Sequence, residues 1–259
     1  MSVGSTLLQR VTEQAFAPEA VYRLWLHGSG ASRPTEPITV PSWCTTLKST
    51  EQWQQSLAAM RRLGLPAHND GPKNWDTEII TAAMLSTDGP ILDAGAETYS
   101  MILAALYLYG RRDLTGINLV FDKPFRRGPI RFEPGDITRT RFANETFAGI
   151  ACQSVVEHGV DLRAYFTEMA RILRPGGVLA TSTDYFPEPV DTGGKIAYGV
   201  PVKIFTRGDI LDALDIAAGV GLTPTHDVDL DCTQRPVHWK RMDLRYTFTC
   251  ITLRKDESA

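Results

Sequence analysis

The run PILDAGAETYS at residues 90–100 changes character within a few positions. Apolar Ile91-Leu92 gives way to Asp93-Ala94-Gly95, and Ser100 stands where a helix can begin. A buried strand that stops at a glycine turn and enters a helix exposes bare backbone at the turn, where a cofactor can lie against the chain. Downstream the theme recurs. Helical spacing over 101–109 ends at Gly110, 114–121 (LTGINLVF) reads as a second strand, and 130–132 as a short third before Pro134-Gly135-Asp136. Residues 147–156 (FAGIACQSVV) read as a fourth strand. Asp161 caps a helix with Leu162, Tyr165, Met169, Ile172 and Leu173 on one face. Arg174-Pro175-Gly176-Gly177 ends that helix and 178–183 is a fifth strand. Thr206 caps a last helix closed by Gly219 and Gly221, and 225–231 and 246–253 read as the final strands. Strands alternating with helices specify an α/β fold with a mainly parallel, doubly wound sheet. The clean alternation of 246–253 marks an antiparallel addition.

The segment before this core reads differently. Leu7, Leu8, Val11 and Ala15 fall at helical spacing, which Val21, Leu24 and Trp25 continue. A loop rich in glycine and proline follows, then Ser49 as N-cap with Gln52 three residues on. Trp53, Leu57, Met60 and Leu63 form a stripe ended by Gly64. This predicts an N-terminal helical cap over 1–70 that walls the substrate pocket, and a catalytic domain over 71–259. Trp75 is expected as a buried staple rather than a lid.

A net charge of −3 lacks the basic footprint of nucleic-acid binding, and Arg126-Arg127 and Lys240-Arg241 read as solvated pairs. Cys44, Cys152, Cys232 and Cys250 make no CxxC or zinc spacing, which fits a reducing cytoplasm. No stretch has the length and apolarity of a signal peptide or a membrane span, so no membrane partner is expected.

Three stretches, ILDAGAETYS, GINLVFD and FAGIACQSVVEHGVDLRAYFTEMARILRPGGVLATSTD, together resemble class I S-adenosylmethionine-dependent methyltransferases, in particular their small-molecule and sugar O-methyltransferase-like group. The resemblance spans roughly residues 75–254 and is most specific over 147–184. It implies a Rossmann-like, seven-stranded sheet with an antiparallel last strand. It also implies S-adenosylmethionine as cofactor, held by Asp93, Ala94, Gly95, Ala96 and Glu97 at the methionine end, Asn118 (or Asp122) at the ribose, Asp136 and Ile137 at the adenine, and Gln153 and Ser154 beneath the sulfonium. The chain departs from the family at two places: only Gly95 remains of the glycine-rich turn, and Asn118 stands where an acid is usual.

The reaction so implied is methyl transfer to a hydroxyl of a small polar acceptor, with a sugar or glycan precursor ahead of phenolic or amine metabolites. Candidate catalytic residues are His158 as base, Glu157 as its partner or as a loop brace, and Asp184. Glu157 and Asp184 could together hold a divalent metal such as Mg²⁺ through oxygen ligands. An aromatic loop (Tyr185, Phe186, Tyr198, Phe205) would line the acceptor pocket. Two other classes remain open at this point: a degenerate methyltransferase fold acting as a binding or scaffold subunit, and a nicotinamide oxidoreductase, against which the absence of GxGxxG counts. The assembly is expected to be a monomer or homodimer.

Overall fold

The computed structural model describes residues 15–257; the helical spacing at Leu7, Leu8 and Val11 lies outside them. The chain opens with α1 (Glu19–Gly28), β1 (Thr45–Thr46) and α2 (Thr50–Arg62), followed by α3 (Lys73–Leu85). The α/β units are β2 (Ile91–Ala94), α4 (Met101–Leu108), β3 (Leu114–Asn118), β4 (Phe125–Arg127), β5 (Ile130–Pro134), β6 (Phe147–Gln153), α5 (Leu162–Ile172) and β7 (Leu173–Tyr185). A small hairpin, β8 (Ile196–Ala197) and β9 (Val200–Pro201), precedes α6 (Arg207–Ala218), β10 (Leu222–Pro224), β11 (Val237–Trp239) and β12 (Leu244–Lys255).

Strands β5, β3, β2, β6 and β7 pair in parallel in that order, and β12 runs antiparallel to β7. The sheet has ten strands rather than seven. Four of the ten are short edge pieces: β4 turns back on β5, while β11, β1 and β10 follow one another along the outer edge of β12. The N-terminal segment is therefore not purely helical, because β1 joins the sheet through Thr45 opposite Cys250. The strand expected at 225–231 is instead β10, which lies before it at 222–224. Arg174-Pro175-Gly176-Gly177 does not separate α5 from β7; the chain turns extended at Leu173 and carries this segment into the strand, with an irregular register opposite residues 147–149 of β6.

Each face of the sheet carries its own apolar cluster: α1 to α4 pack on one side and α5 and α6 on the other. The sequence stripe misjudges α1. Val21 and Leu24 point outward at 41% and 70% exposure, and Tyr22 and Leu26 are the buried pair. In α2, Ser49 caps as expected by accepting from the Gln52 amide, while the Gln52 side chain reaches back to the Lys48 amide.

Helix α3 sits at the centre, buried at eleven of its positions from Asn74 to Met84. It lies so close to β6 that a Cβ on Gly149 would meet Met84 Sδ at 2.9 Å. Its polar residues are satisfied internally: Asn74 closes the preceding loop through the His68 amide and the His68 and Gly71 carbonyls, and Thr77 and Thr81 donate to carbonyls four residues back. Trp75, only 2% exposed, packs into the cluster on the α1–α4 side and has no lid position. Trp75→Ala should lower unfolding stability by about 3–5 kcal/mol in urea denaturation, the range for emptying a packed aromatic site; a loss under 1 kcal/mol would mean that the ring is not held in the core.

Candidate active site

The parallel strands bring their carboxyl ends to one side of the sheet, where open α/β sheets bind ligands. The first feature there is the turn after β2. Gly95 adopts φ +94°, and a Cβ would lie 2.4 Å from Val155 Cγ2, so glycine is required by conformation and by space. The Gly95 and Ala96 amides both donate to the Ile117 carbonyl, at 2.9 and 3.0 Å. Asn118 completes the brace: its Nδ2 donates to the Gly95 and Ala96 carbonyls at 3.2 and 3.0 Å, and its Oδ1 accepts from the Val120 amide at 3.1 Å. The residue expected at the ribose thus spends its amide on holding the glycine-poor turn. Directly beyond it Leu119 and Val120 stand 74% and 77% exposed.

Other expected cofactor residues are also engaged within the fold. Asp93 is buried and accepts from the Ser100 hydroxyl at the start of α4. Burial pushes its pKa up to about 7, against the pull of that hydrogen bond and with a further rise from Glu97. Ala94, Ala96 and Ile137 are buried. Asp136 Oδ1 accepts from the Thr138 amide and hydroxyl at 2.8 and 2.7 Å, closing a local turn. Glu97 points to solvent with His68 Nε2 at 3.9 Å. Gln153 Nε2 turns toward α3, meeting the Lys73 carbonyl, Asp76 Oδ1 and Thr77 Oγ1 within 3.1 Å. Ser154, at φ +52°, receives a hydrogen bond from the Lys73 ammonium.

Lys73, Asp76 and Tyr246 are the residues that sequence reading missed. Lys73 starts α3, an unfavourable place for a cation because of the helix dipole. Burial works against its charge, but Asp76, Asp184, Glu157 and Asp70 outweigh this and raise its pKa. Asp76, fully buried, accepts from Gln153 and, at 2.7 Å, from the Ser182 hydroxyl; burial still raises its pKa, with Lys73 opposing. Glu157 and Asp184 are 3% and 5% exposed. Burial raises both, and the nearby Asp184 charge adds to the rise at Glu157 while Lys73 lowers both. Thr183 donates to Glu157 Oε2 at 3.1 Å, so Glu157 faces β7 rather than His158. Tyr246 lies near Asp184, and burial followed by the Asp184 charge raises the phenol's pKa. A sequence signal for Lys73 and Asp76 existed in the polar start KNWD of an otherwise apolar helix.

His158 stands apart at the rim. Its ring meets the Tyr198 ring edge-on at 4.8 Å, and burial, then Lys73, lowers its pKa. The metal expectation for Glu157 and Asp184 is not met by the donor set: among the described residues no three His, Cys, Asp or Glu side chains are grouped to hold a metal, and the cation facing this pair is Lys73. The aromatic loop is mostly core as well. Tyr185, Phe186 and Phe205 are buried, the Tyr185 hydroxyl bonding the Leu230 carbonyl at 2.8 Å, and Tyr198 alone of the four is exposed. A separate groove of about 760 Å³ lies between α1 and the end of α4, away from these acids.

Residues 92–181, which hold the glycine turn, the Asn118 brace and Glu157, match the family described as "Methyltransferase domain". That match spans 90 of the 259 residues and likens this part of the chain to methyltransferase domains. No curated protein matches the chain. Among solved structures, it is similar to the geranyl diphosphate C-methyltransferase of Streptomyces coelicolor A3(2), at 18% identity and TM-score 0.53, covering 90% of this chain and 91% of the other. It is similar at 17% identity and TM-score 0.53 to the 1,6-didemethyltoxoflavin-N1-methyltransferase of Burkholderia thailandensis, covering 87% and 100%. The [4+2]-cyclase SpnF matches at 15% and TM-score 0.53, covering 83% and 99%. These likenesses establish the fold, a Rossmann-like sheet with helices on both faces, over nearly the whole chain. Within the matched segment Asn118 braces the turn that holds Gly95. Among the described residues no helix is long and apolar enough to cross a membrane.

The buried Asp93 gives a pH test of this turn. Its folded pKa of about 7 lies above the ordinary value of 3.8, so between these the folded chain holds one proton more than the unfolded chain. Stability therefore falls as pH rises through that window, by at most about 1.4 kcal/mol per pH unit. Asp93→Asn keeps an oxygen for Ser100 and should flatten the decline between about pH 4 and 7 in urea melts; equal slopes in both proteins would show that Asp93 is not held protonated.

Proposed function

We propose that the chain transfers a methyl group from S-adenosylmethionine to a hydroxyl of a small polar acceptor. The observation that carries this is the buried acid pair Glu157 and Asp184, with Lys73 and Tyr246, at the carboxyl ends of β6 and β7 beside the Gly95 turn. The residues present fit the cofactor. Leu119 and Val120 offer an exposed apolar shelf beside the turn for an adenine, and Asp122, exposed past the end of β3, is the carboxylate left for the ribose. The carboxyl oxygens of the floor favour a cationic centre above them. When bound, the cofactor supplies a methyl group on a sulfonium.

The chain's own part is alignment and proton handling. The turn and the floor fix the two reactants in line, which can supply about 7–11 kcal/mol of the barrier. As the acceptor oxygen gains the methyl group, its proton passes to the Asp184 carboxylate. Burial makes this carboxylate a stronger base than an ordinary aspartate, while Lys73 and Tyr246 keep it ionised. Lys73 also ties the floor to Ser154, and Glu157 steadies β7 through Thr183. We place His158 as part of the rim. The sugar preference rests on sequence likeness alone, and the similar enzymes named above act on a carbon and a nitrogen, so the acceptor's hydroxyl is inferred from the need for a base at this site.

A second reading, a methyltransferase fold without methyl transfer, is favoured by one observation: Asn118 is committed to the turn and not free to grip a ribose. The cyclase among the similar structures is a protein of this fold named for another reaction.

Calorimetric titration with S-adenosylmethionine and S-adenosylhomocysteine should give micromolar binding, and turnover of hydroxyl acceptors should follow. Asp184→Asn should lower kcat by about 10²–10⁴-fold while leaving S-adenosylhomocysteine affinity in place. Absence of binding to either cofactor form would overturn the proposal; binding without turnover on any acceptor would favour the second reading.

A further inference from the structure

We infer that the acceptor carries an anionic group, a carboxylate or a phosphate, and that Arg235 and Arg241 receive it at the rim of the site. The inference rests on the methyl-transfer reading for the identity of the site, though not for the binding of the anion.

Both arginines lie around the same end of the sheet as the buried acids. Arg235 precedes β11, whose Val237 pairs with Tyr246, and its guanidinium carbon stands 4.0 Å from the ring centre of Phe186, two residues beyond Asp184. Arg241 occupies the turn between β11 and β12, 5.9 Å from the Tyr198 ring and 5.8 Å from the Trp239 ring. Tyr198 in turn meets His158, next to Glu157. Both arginines are exposed. Among the described residues neither takes part in an ion pair or a side-chain hydrogen bond, so their contacts are the aromatic ones alone.

The Arg235 guanidinium, 4.0 Å over the Phe186 ring, keeps its N–H edge free, and that edge matches a carboxylate or phosphate in a bidentate fork, while Arg241 stands at the outer range of contact with its two rings. The aromatic support removes part of the entropy that a free surface arginine loses on binding. The charge layout then gives direction. At the floor the one cation, Lys73, is already bonded to Ser154 and sits among carboxyl groups, whereas the arginine rim offers open cationic edges, so an anion is favoured at the rim. An acceptor with a negative group at one end enters with that end outward and its neutral, reacting end toward Asp184.

The wall between rim and floor is apolar. Tyr198 is 74% exposed and Ile196 64%, both on the β8–β9 hairpin, and Tyr198 is held at φ +53° with Gly199 beside it at +84°. A non-glycine residue in this conformation is uncommon, and here it turns the Tyr198 ring against His158. The substrate class that fits is a small amphipathic acid: an anionic head, a ring or hydrocarbon body, and a hydroxyl at the far end.

Calorimetry on the full chain tests this, with and without saturating S-adenosylhomocysteine. The probes are 4-hydroxybenzoate, phenyl phosphate and the neutral 4-hydroxybenzamide. At least one anion should bind more than about tenfold more tightly than the amide, as charge-assisted hydrogen bonds require. The R235Q/R241Q double variant should lose that advantage while keeping its S-adenosylhomocysteine affinity and urea midpoint. Which anion is preferred separates carboxylate from phosphate. Equal binding of anion and amide, no binding of either anion at millimolar concentration, or an anion preference that survives in the double variant would each overturn the inference. If the anion preference is arginine-dependent but S-adenosylhomocysteine does not bind, the methyl-transfer reading fails and the anion site stands.

Discussion

A lysine ammonium drawn partly out of water keeps its charge most easily where opposite charges stand near it, and the half-buried Lys73 is such a case. It sits on the first turn of α3, against the helix dipole, bonded to Ser154 and 4.2 Å over the Phe248 ring, while the charges of Asp76, Asp184 and Glu157 favour its protonated form. Three elements distant in sequence must arrive together for this charge balance to close. Gln153 and Ser182 join the same network by bonding Asp76 from the sheet. The dense packing of α3 on β6 at Gly149 follows the same logic, since a helix displaced by one side chain would strand a buried charge.

The glycine-poor turn shows how one function of a motif can pass to another residue. Extra glycines allow backbone to approach closely; here Asn118 grips the Gly95 and Ala96 carbonyls, and Ile117 takes their amides. The turn is thereby stiffened from its neighbour strand rather than left free by its own sequence. A side chain so used is no longer open to a ligand.

Much of this was legible in the sequence, and for physical reasons. The parallel strands announced themselves as short apolar runs ending in turn residues, and the caps Ser49, Ser100, Asp161 and Thr206 all accept backbone amides as their residue types predict. The short edge strands β1, β4, β10 and β11 were not legible, because two or three residues carry no periodicity. The floor of the site was half visible. Glu157 and Asp184 follow strands and draw attention, while Lys73 and Asp76 start a helix from an unremarkable polar tetrad and acquire meaning only from what packs against them. Expected roles for Gln153 and Asn118 were read from position along the strand; side-chain direction, which one residue of strand cannot encode, sends each to a structural partner.

The pairing of β1 with β12 carries a consequence for how the molecule is made. Thr45 and Thr46 emerge from the ribosome some two hundred residues before Cys250 and Thr249, the partners to which they bond. Tyr246, which completes the environment of Asp184, also arrives on that late strand. During synthesis the early strands therefore stand with β7 unpaired on one side and the Asp184 carboxylate without its phenol, a sheet edge open to other chains. Only release of the last strand closes this edge, so the β7 edge and the surroundings of Asp184 are completed together and late.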